Sequence, residues 1–187
     1  MMNWSDLLST KRCASPHKST DIRTSFQRDY DRIVFSSAFR RLQNKTQVFP
    51  LPGSQIVHNR LTHSLEVASV GRSIARMTSQ KLMQLHPELG QALSEIDSVV
   101  SAACLAHDLG NPPFGHSGEN AISSYFKDGK GMVFQHQVLP AQWSDLVAFE
   151  GNANAFRLLT HQFEGRRPGG FSLTAATLAT LVKYPYP

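Results

Sequence analysis

This chain of 187 residues is poor in cysteine and has no long hydrophobic run. Its two cysteines lie in different contexts, Cys13 in a polar N-terminal segment and Cys104 in an apolar one. A disulfide between them is not expected, and a reducing compartment fits this cysteine usage. We interpret Cys104 as a core residue rather than a ligand.

No stretch approaches the roughly 18 consecutive apolar residues that a membrane-spanning helix needs. The N-terminal segment contains no apolar core with the flanks of a signal peptide. Internal repeats and low-complexity tracts are also absent. The expectation is therefore a cytoplasmic protein with no membrane partner, built as one domain around one core.

The charge is unevenly distributed. Lysine and arginine number 19 against 14 acidic residues, which gives a net charge of +5, and many of the basic residues lie between positions 11 and 60. Such an excess suits a nucleic-acid surface, but it equally suits a site that holds the phosphates of a nucleotide. A solvated helix face is the plain alternative for any single arginine.

Apolar residues recur at three- and four-residue intervals through most of the chain, which predicts a mostly α protein. Residues 1–22 are predicted to form a flexible leader, and 23–187 to form the folded part. Ser117 is the predicted N-cap of the fourth helix, and "MVFQHQVLP" (132–140) is the one candidate strand. The predicted helices cover 25–44, 58–85, 92–109, 118–127, two pieces within 141–163, and 174–183.

The stretch "LAHDLGNPPFGHSGEN" (105–120) carries the first candidate site. His107 and Asp108 stand at a helix end, where the released backbone allows both side chains to turn toward one ion. An imidazole and a carboxylate together suit Zn²⁺, Mn²⁺, Fe²⁺ or Mg²⁺, although two ligands do not make a site. His63, on another predicted helix, would complete a set if the two helices pack together; alone, it also fits a core or surface histidine. Arg60 lies on the same helix face as His63, where it would suit a phosphate beside a metal.

His116 and Glu119 form a second pair, three residues apart at the start of a predicted helix. A carboxylate that orients an imidazole makes a proton-transfer pair. The alternative is structural, with His116 capping the helix and Glu119 complementing its dipole. The local pattern favours neither.

Four ordered blocks of the sequence resemble the HD superfamily of metal-dependent phosphohydrolases, and within it the deoxyguanosine triphosphate triphosphohydrolase family. They are "SFQRDYDRIVFSSAFRRLQNKTQVFP", "HNRLTHSLEV", "CLAHDLGNPPFGHSGENAI" and "FEGNANAFRLL". The His-Asp pair alone is a weak signal, but four blocks in order are a strong one. The resemblance implies an all-α HD-domain helical bundle that forms a homo-oligomer. It also implies hydrolysis of a deoxynucleoside triphosphate, dGTP first, to the deoxynucleoside and tripolyphosphate.

The resemblance also assigns roles to residues of this chain. His63, His107 and Asp108 match the ligands of a divalent metal, for which Mg²⁺ and Mn²⁺ are expected first and Fe²⁺, Ni²⁺ and Zn²⁺ are alternatives. His116 and Glu119 match the catalytic pair beside the α-phosphate. The substrate-contacting positions that the resemblance indicates are Arg60 at a phosphate, Gln47 at the nucleoside, and Asn111 at a phosphate or behind a ligand.

One departure from the family pattern concerns the ligand set. The family closes it with a second aspartate far downstream; here Asp128 lies in a predicted turn, and Asp145 comes too early and in the wrong block. The expectation is therefore an N-terminal portion of such a protein, incomplete at its C-terminus. Two other functions stay open: an HD nucleotidase or phosphodiesterase acting on monophosphates or cyclic nucleotides, and a catalytically silent module. The silent module would bind single-stranded DNA, in a salt-dependent manner, or assemble with partners.

Overall fold

The computed structural model describes residues 3–12, 21–46, 59–165 and 168–183. These residues form α-helices and short 3₁₀ helices and no strand, so the all-α prediction is confirmed. The 3₁₀ helices cover Leu42–Asn44, Pro87–Leu89 and Lys130–Gln137. The α-helices are α1 (Trp4–Leu7), α2 (Ser25–Val34), α3 (Ser37–Arg41), α4 (Arg60–Leu85), α5 (Gly90–Leu93), α6 (Ile96–Ala106), α7 (His116–Lys127), α8 (Pro140–Val147), α9 (Gly151–Thr160) and α10 (Ala175–Leu181).

Helix α6 is the centre of the fold. It is apolar on nearly every face, which is typical of a buried helix, and it packs against α4, α2 and α10. Small side chains let α4 approach closely, since a Cβ on Gly71 would lie 2.6 Å from Cys104 Sγ. The main core is built from Ile33, Phe39, Leu42, Ala68, Ala102, Leu105, Ala106, Leu109, Ala155, Leu159, Leu173 and Leu178.

Helix α4 spans 26 residues, and its buried side turns toward α6. That side carries small residues, Ser64, Ala68, Ala75 and Ser79, together with Arg60 at the first position of the helix. Because α4 packs against α6, the first turn of α4 lies next to the C-terminal end of α6.

None of the helices in the described ranges combines the length and the apolar character that crossing a membrane requires.

A buried ion pair joins residues 3–12 to α2, and a hydrogen bond joins the same arginine to the residues just before α10. Arg12 Nη1 lies 2.6 Å from Asp29 Oδ1, and Arg12 also donates to the carbonyl oxygen of Ser172. Asp29 Oδ2 accepts hydrogen bonds from Thr174 Oγ1 at 2.7 Å and from Thr177 Oγ1 at 2.9 Å. This cluster fastens the N-terminal segment and α10 to α2. The division into a leader (1–22) and a folded part stays a prediction.

Four local predictions were wrong. The predicted helix over 92–109 is divided between α5 (Gly90–Leu93) and α6 (Ile96–Ala106). Most of the strand predicted at 132–140 lies in the 3₁₀ helix Lys130–Gln137, where a Cβ on Gly131 would lie 2.8 Å from the ring of Tyr125. The predicted helix over 25–44 is interrupted at Ser36, whose side chain accepts a hydrogen bond from the Phe39 N–H and so starts α3. Ser117 does not cap α7, because the helix begins at His116 and its N-cap is Gly115.

Candidate functional site

The packing of α4 against α6 brings His63 and His107 together. His63 lies in the first turn of α4, and His107 directly follows α6. The centroids of the two imidazole rings are 5.3 Å apart, with the rings edge to face. The condition set for His63, that its helix packs against the helix before His107, is thus met.

Asp108 completes a group of three metal-binding side chains. One ligand atom from each of His63, His107 and Asp108 lies within 4.8 Å of the other two. Asp108 is buried, whereas both histidines are half-buried. Two imidazoles and a carboxylate in this arrangement suit a divalent cation such as Mn²⁺, Fe²⁺ or Zn²⁺. The downstream carboxylates Asp128 and Asp145 do not belong to this group, within the described part of the chain.

The orientation of the His107 ring is fixed from behind. Its Nδ1 lies 2.7 Å from the carbonyl oxygen of Cys104. Because a carbonyl oxygen only accepts, Nδ1 carries the hydrogen and Nε2 keeps its lone pair for a ligand. Cys104 takes part through its backbone, and burial raises the pKa of its thiol. This agrees with its interpretation as a core residue.

Asp108 is held by two side chains on the same oxygen. Arg60 Nη1 donates to Asp108 Oδ1 over 2.7 Å, and Asn111 Nδ2 donates to it over 2.6 Å. Arg60 and Asp108 are both buried, so the guanidinium offsets the carboxylate charge where water cannot. Asn111 therefore lies behind a candidate ligand, one of the two positions that the resemblance left open.

Lys45 supports the same turn and was missed from the sequence. Its Nζ donates to the Asn111 carbonyl oxygen over 2.9 Å. Burial lowers the pKa of Lys45, and the nearby guanidinium of Arg60 lowers it further against the attraction of Asp108. The only signal in the sequence was a lysine within the "NKTQVFP" block. Gln47, the predicted nucleoside contact in that block, lies outside the described residues.

The turn after Asp108 redirects the chain toward α7. Phe114 and Gly115 have positive φ values of 67° and 57°. A side chain is disfavoured at the second of them, since Gly115 combines this φ with a ψ of −131°. Gly115 also lies beside Arg60, whose Nη2 would be 3.6 Å from a Cβ built on the glycine. The turn therefore places Gly115, the residue before His116, beside the buried side chain of Arg60.

His116 and Glu119 contact each other. His116 Nδ1 lies 2.6 Å from Glu119 Oε2, and no side-chain hydrogen bond caps α7. The His116 side chain is 98% exposed and that of Glu119 only 14%. An exposed imidazole held by a mostly buried carboxylate can pass a proton through its outward nitrogen, Nε2.

Comparison with known proteins adds a family and several relatives. The family model described as "HD domain" matches residues 60–166. A "Deoxyguanosinetriphosphate triphosphohydrolase-like protein" of Synechocystis sp. is 48% identical over 188 residues, which cover 98% of this chain and 43% of that protein. Proteins with the same name from Pseudomonas aeruginosa and Listeria monocytogenes are 48% and 39% identical, each with 42% of its length covered. The chain thus spans less than half the length of these curated relatives.

Proposed function

This chain belongs to the HD-domain family, whose model covers residues 60–166, and on that premise we propose that it hydrolyses deoxynucleoside triphosphates. The proposed products are the deoxynucleoside and tripolyphosphate, with dGTP as the preferred substrate. The single observation that carries the proposal is the group His63, His107 and Asp108, whose ligand atoms lie within 4.8 Å of one another. The names of the relatives support the choice of substrate.

The donor set fits a divalent cation, and we propose Mn²⁺ or Mg²⁺. His63 and the Nε2 atom of His107 would supply two nitrogens, and Asp108 would supply a carboxylate oxygen. A bound ion would polarise the α-phosphate and lower the pKa of a coordinated water. The buried Arg60 beside Asp108 would offset part of the charge on the phosphates.

His116 would move the proton. Hydrolysis forms a bond between water oxygen and the α-phosphorus and breaks the bond to the 5′ oxygen, which leaves as a hydroxyl after taking a proton. With Nδ1 held by Glu119 at 2.6 Å, Nε2 is the nitrogen that faces solvent. It would accept the proton of the water or deliver one to the 5′ oxygen, and Glu119 would stabilise the imidazolium in either case.

Product analysis tests this function. Purified protein is incubated with Mn²⁺ and dGTP, and the products are followed by ³¹P NMR and by chromatography of the nucleoside. We expect tripolyphosphate and deoxyguanosine in equal amounts. Release of diphosphate or orthophosphate instead, or hydrolysis of monophosphates or cyclic nucleotides in preference to dGTP, would reject the proposal. An absence of turnover together with salt-sensitive binding of single-stranded DNA would favour the silent module.

We also propose a cytoplasmic location and a homo-oligomeric state, both of which were expected from the sequence. Size-exclusion chromatography with light scattering, at the protein concentration used for the assay, measures the oligomeric state. If the protein that hydrolyses dGTP is a monomer, the proposed self-association is wrong, and the proposed reaction is unaffected.

A further inference from the structure

The first turn of α9 lies backbone to backbone against the turn that follows Asp108. A Cβ on Gly110 would lie 2.1 Å from both the Gly151 carbonyl oxygen and the Ala155 nitrogen. A Cβ on Gly151 would lie 1.9 Å from Asn111 Oδ1 and 2.8 Å from Glu119 Oε1. At distances this short, a side chain on Gly110 would displace the backbone of α9, and one on Gly151 would displace the Asn111 and Glu119 side chains.

Two hydrogen bonds hold the N-terminal part of α9, one to α7 and one to the turn after Asp108. The Gly151 N–H donates to Glu119 Oε1 over 2.8 Å, and Asn154 Nδ2 donates to the Gly110 carbonyl oxygen over 2.9 Å. Gly151 is the first residue of α9, so its N–H has no partner within the helix. The positive end of the helix dipole also favours a carboxylate at this position.

With this contact, each oxygen of the Glu119 carboxylate has its own hydrogen-bond partner. Oε1 accepts from the Gly151 backbone, and Oε2 faces His116 Nδ1 at 2.6 Å. A carboxylate fixed at only one oxygen could rotate away from the imidazole, whereas one held at both oxygens cannot do so without losing a hydrogen bond. Another N–H of the same first turn of α9, that of Ala153, donates to a different carboxylate, the Glu150 side chain.

Gly151 also touches the metal side of the site. Asn111 Oδ1 lies against its Cα, and the Nδ2 atom of the same amide donates to Asp108 Oδ1 over 2.6 Å. One backbone position therefore contacts both the amide behind a candidate ligand and the carboxylate behind the candidate proton carrier.

We propose that Gly151 is a positioning residue, whose backbone N–H fixes the Glu119 carboxylate and whose missing side chain lets α9 join the two halves of the site. The proposal rests on the proposed function, because it assigns Gly151 to the orientation of His116. It adds a residue that supplies no side chain and lies 32 residues from Glu119 along the chain.

The test compares Gly151→Ala with Gly90→Ala. Gly90 is likewise the first residue of a helix, but a Cβ there meets no atom of the described residues within 4 Å. Neither glycine has a positive φ, so the pair isolates the effect of crowding. At saturating Mn²⁺ we expect Gly151→Ala to lower kcat for dGTP by about 10²-fold, as expected for a misplaced catalytic group, with a smaller change in KM. Gly90→Ala should match wild type. A kcat for Gly151→Ala equal to that of Gly90→Ala would overturn the proposal.

A second measurement does not depend on turnover, or on the folding of the alanine variant. In ¹⁵N-labelled protein, Glu119→Gln should move the Gly151 amide proton resonance upfield and leave that of Gly90 unchanged. The His116 ring should also lose its preference for the Nδ1-protonated tautomer. If the Gly151 resonance does not respond, the inference fails, whatever the enzyme assay shows. If it responds but wild-type protein releases no tripolyphosphate, the proposed function fails and the positioning of Glu119 stands.

Discussion

Arg60 Nη1 donates to Asp108 Oδ1 over 2.7 Å, and both side chains are about 95% buried. The pair joins the first residue of α4 to the end of α6, 48 residues later in the chain. A buried carboxylate without a partner is costly, and Arg60 supplies the opposite charge beside Asp108. The same pair brings a guanidinium next to the candidate metal ligands, where a phosphate would need one.

Removing Arg60 should therefore destabilise the fold. Arg60→Met leaves the Asp108 carboxylate buried without its charge partner, and we expect the free energy of unfolding to fall by about 3 kcal/mol. Urea denaturation of the metal-free protein measures this. Arg76→Met is the control, because Arg76 is exposed on the same helix and should change stability by less than about 0.5 kcal/mol. Equal effects of the two substitutions would contradict the assignment of a buried ion pair.

Asp29 offers a second comparison and is not one of the candidate site residues. It is fully buried and accepts from Arg12, Thr174 and Thr177. Asp29→Ala should lower the free energy of unfolding by about 3 kcal/mol because it strands a buried arginine. On the same helix, Asp31 forms an exposed pair with Arg23, and Asp31→Ala should cost less than about 1 kcal/mol. A loss for Asp29→Ala no greater than that for Asp31→Ala would show that the N-terminal segment does not depend on this cluster.

Glu150 should contribute stability that depends on pH. Burial raises the pKa of its carboxyl, but hydrogen bonds from the Ala153 N–H and from Asn152 outweigh this, and the pKa is lowered from its ordinary value of 4.5. A lowered pKa in the folded state means that the contribution is complete above pH 4.5 and is lost as the pH falls through the folded-state value. At pH 7 we expect Glu150→Ala to cost about 1 kcal/mol, as for loss of a helix cap. Urea melts of both proteins across the acid range should show that difference shrinking; a constant difference would contradict the assignment.

His116 should matter for turnover and not for metal binding. In His116→Ala we expect kcat to fall by about 10²- to 10⁴-fold, the usual contribution of a positioned acid or base, while bound Mn²⁺ stays at the wild-type level. His136→Ala serves as the control, since His136 is exposed in the 3₁₀ helix Lys130–Gln137. Steady-state kinetics with dGTP and metal analysis of the same samples give both quantities. A loss of only a few-fold with intact metal content would remove His116 from the mechanism.

Helix positions followed from apolar spacing, and their interruptions did not. The periodicity of Val34, Ala38 and Leu42 continues through the predicted helix, yet α2 ends at Val34 and the Ser36 hydroxyl caps the start of α3. Side-chain capping is a local competition that hydrophobic spacing does not register. The strand predicted at 132–140 was also wrong, because a β-like composition is a weak guide without a partner strand, and most of this stretch lies in the 3₁₀ helix Lys130–Gln137.

The candidate site was predictable where side chains carry it. His63, His107 and Asp108 are recognisable by residue type and by the family blocks, and the structure brings their ligand atoms together. Lys45 and Gly151 were not predictable in this way. Lys45 acts on backbone carbonyl oxygens, and Gly151 contributes an N–H and an absence of volume. Backbone groups are common to every residue, so only the tertiary structure reveals which of them are used.

The most direct test of the account is Mn²⁺ binding to the metal-free protein, followed by electron paramagnetic resonance during a titration. If His63, His107 and Asp108 form one metal centre, His107→Ala and Asp108→Asn should each weaken binding by more than about 100-fold, since losing an outer partner alone costs about 10- to 100-fold. His161→Ala, which changes an exposed histidine after α9, should bind as wild type does. Wild-type affinity in Asp108→Asn would contradict the metal centre and the hydrolysis proposed on it.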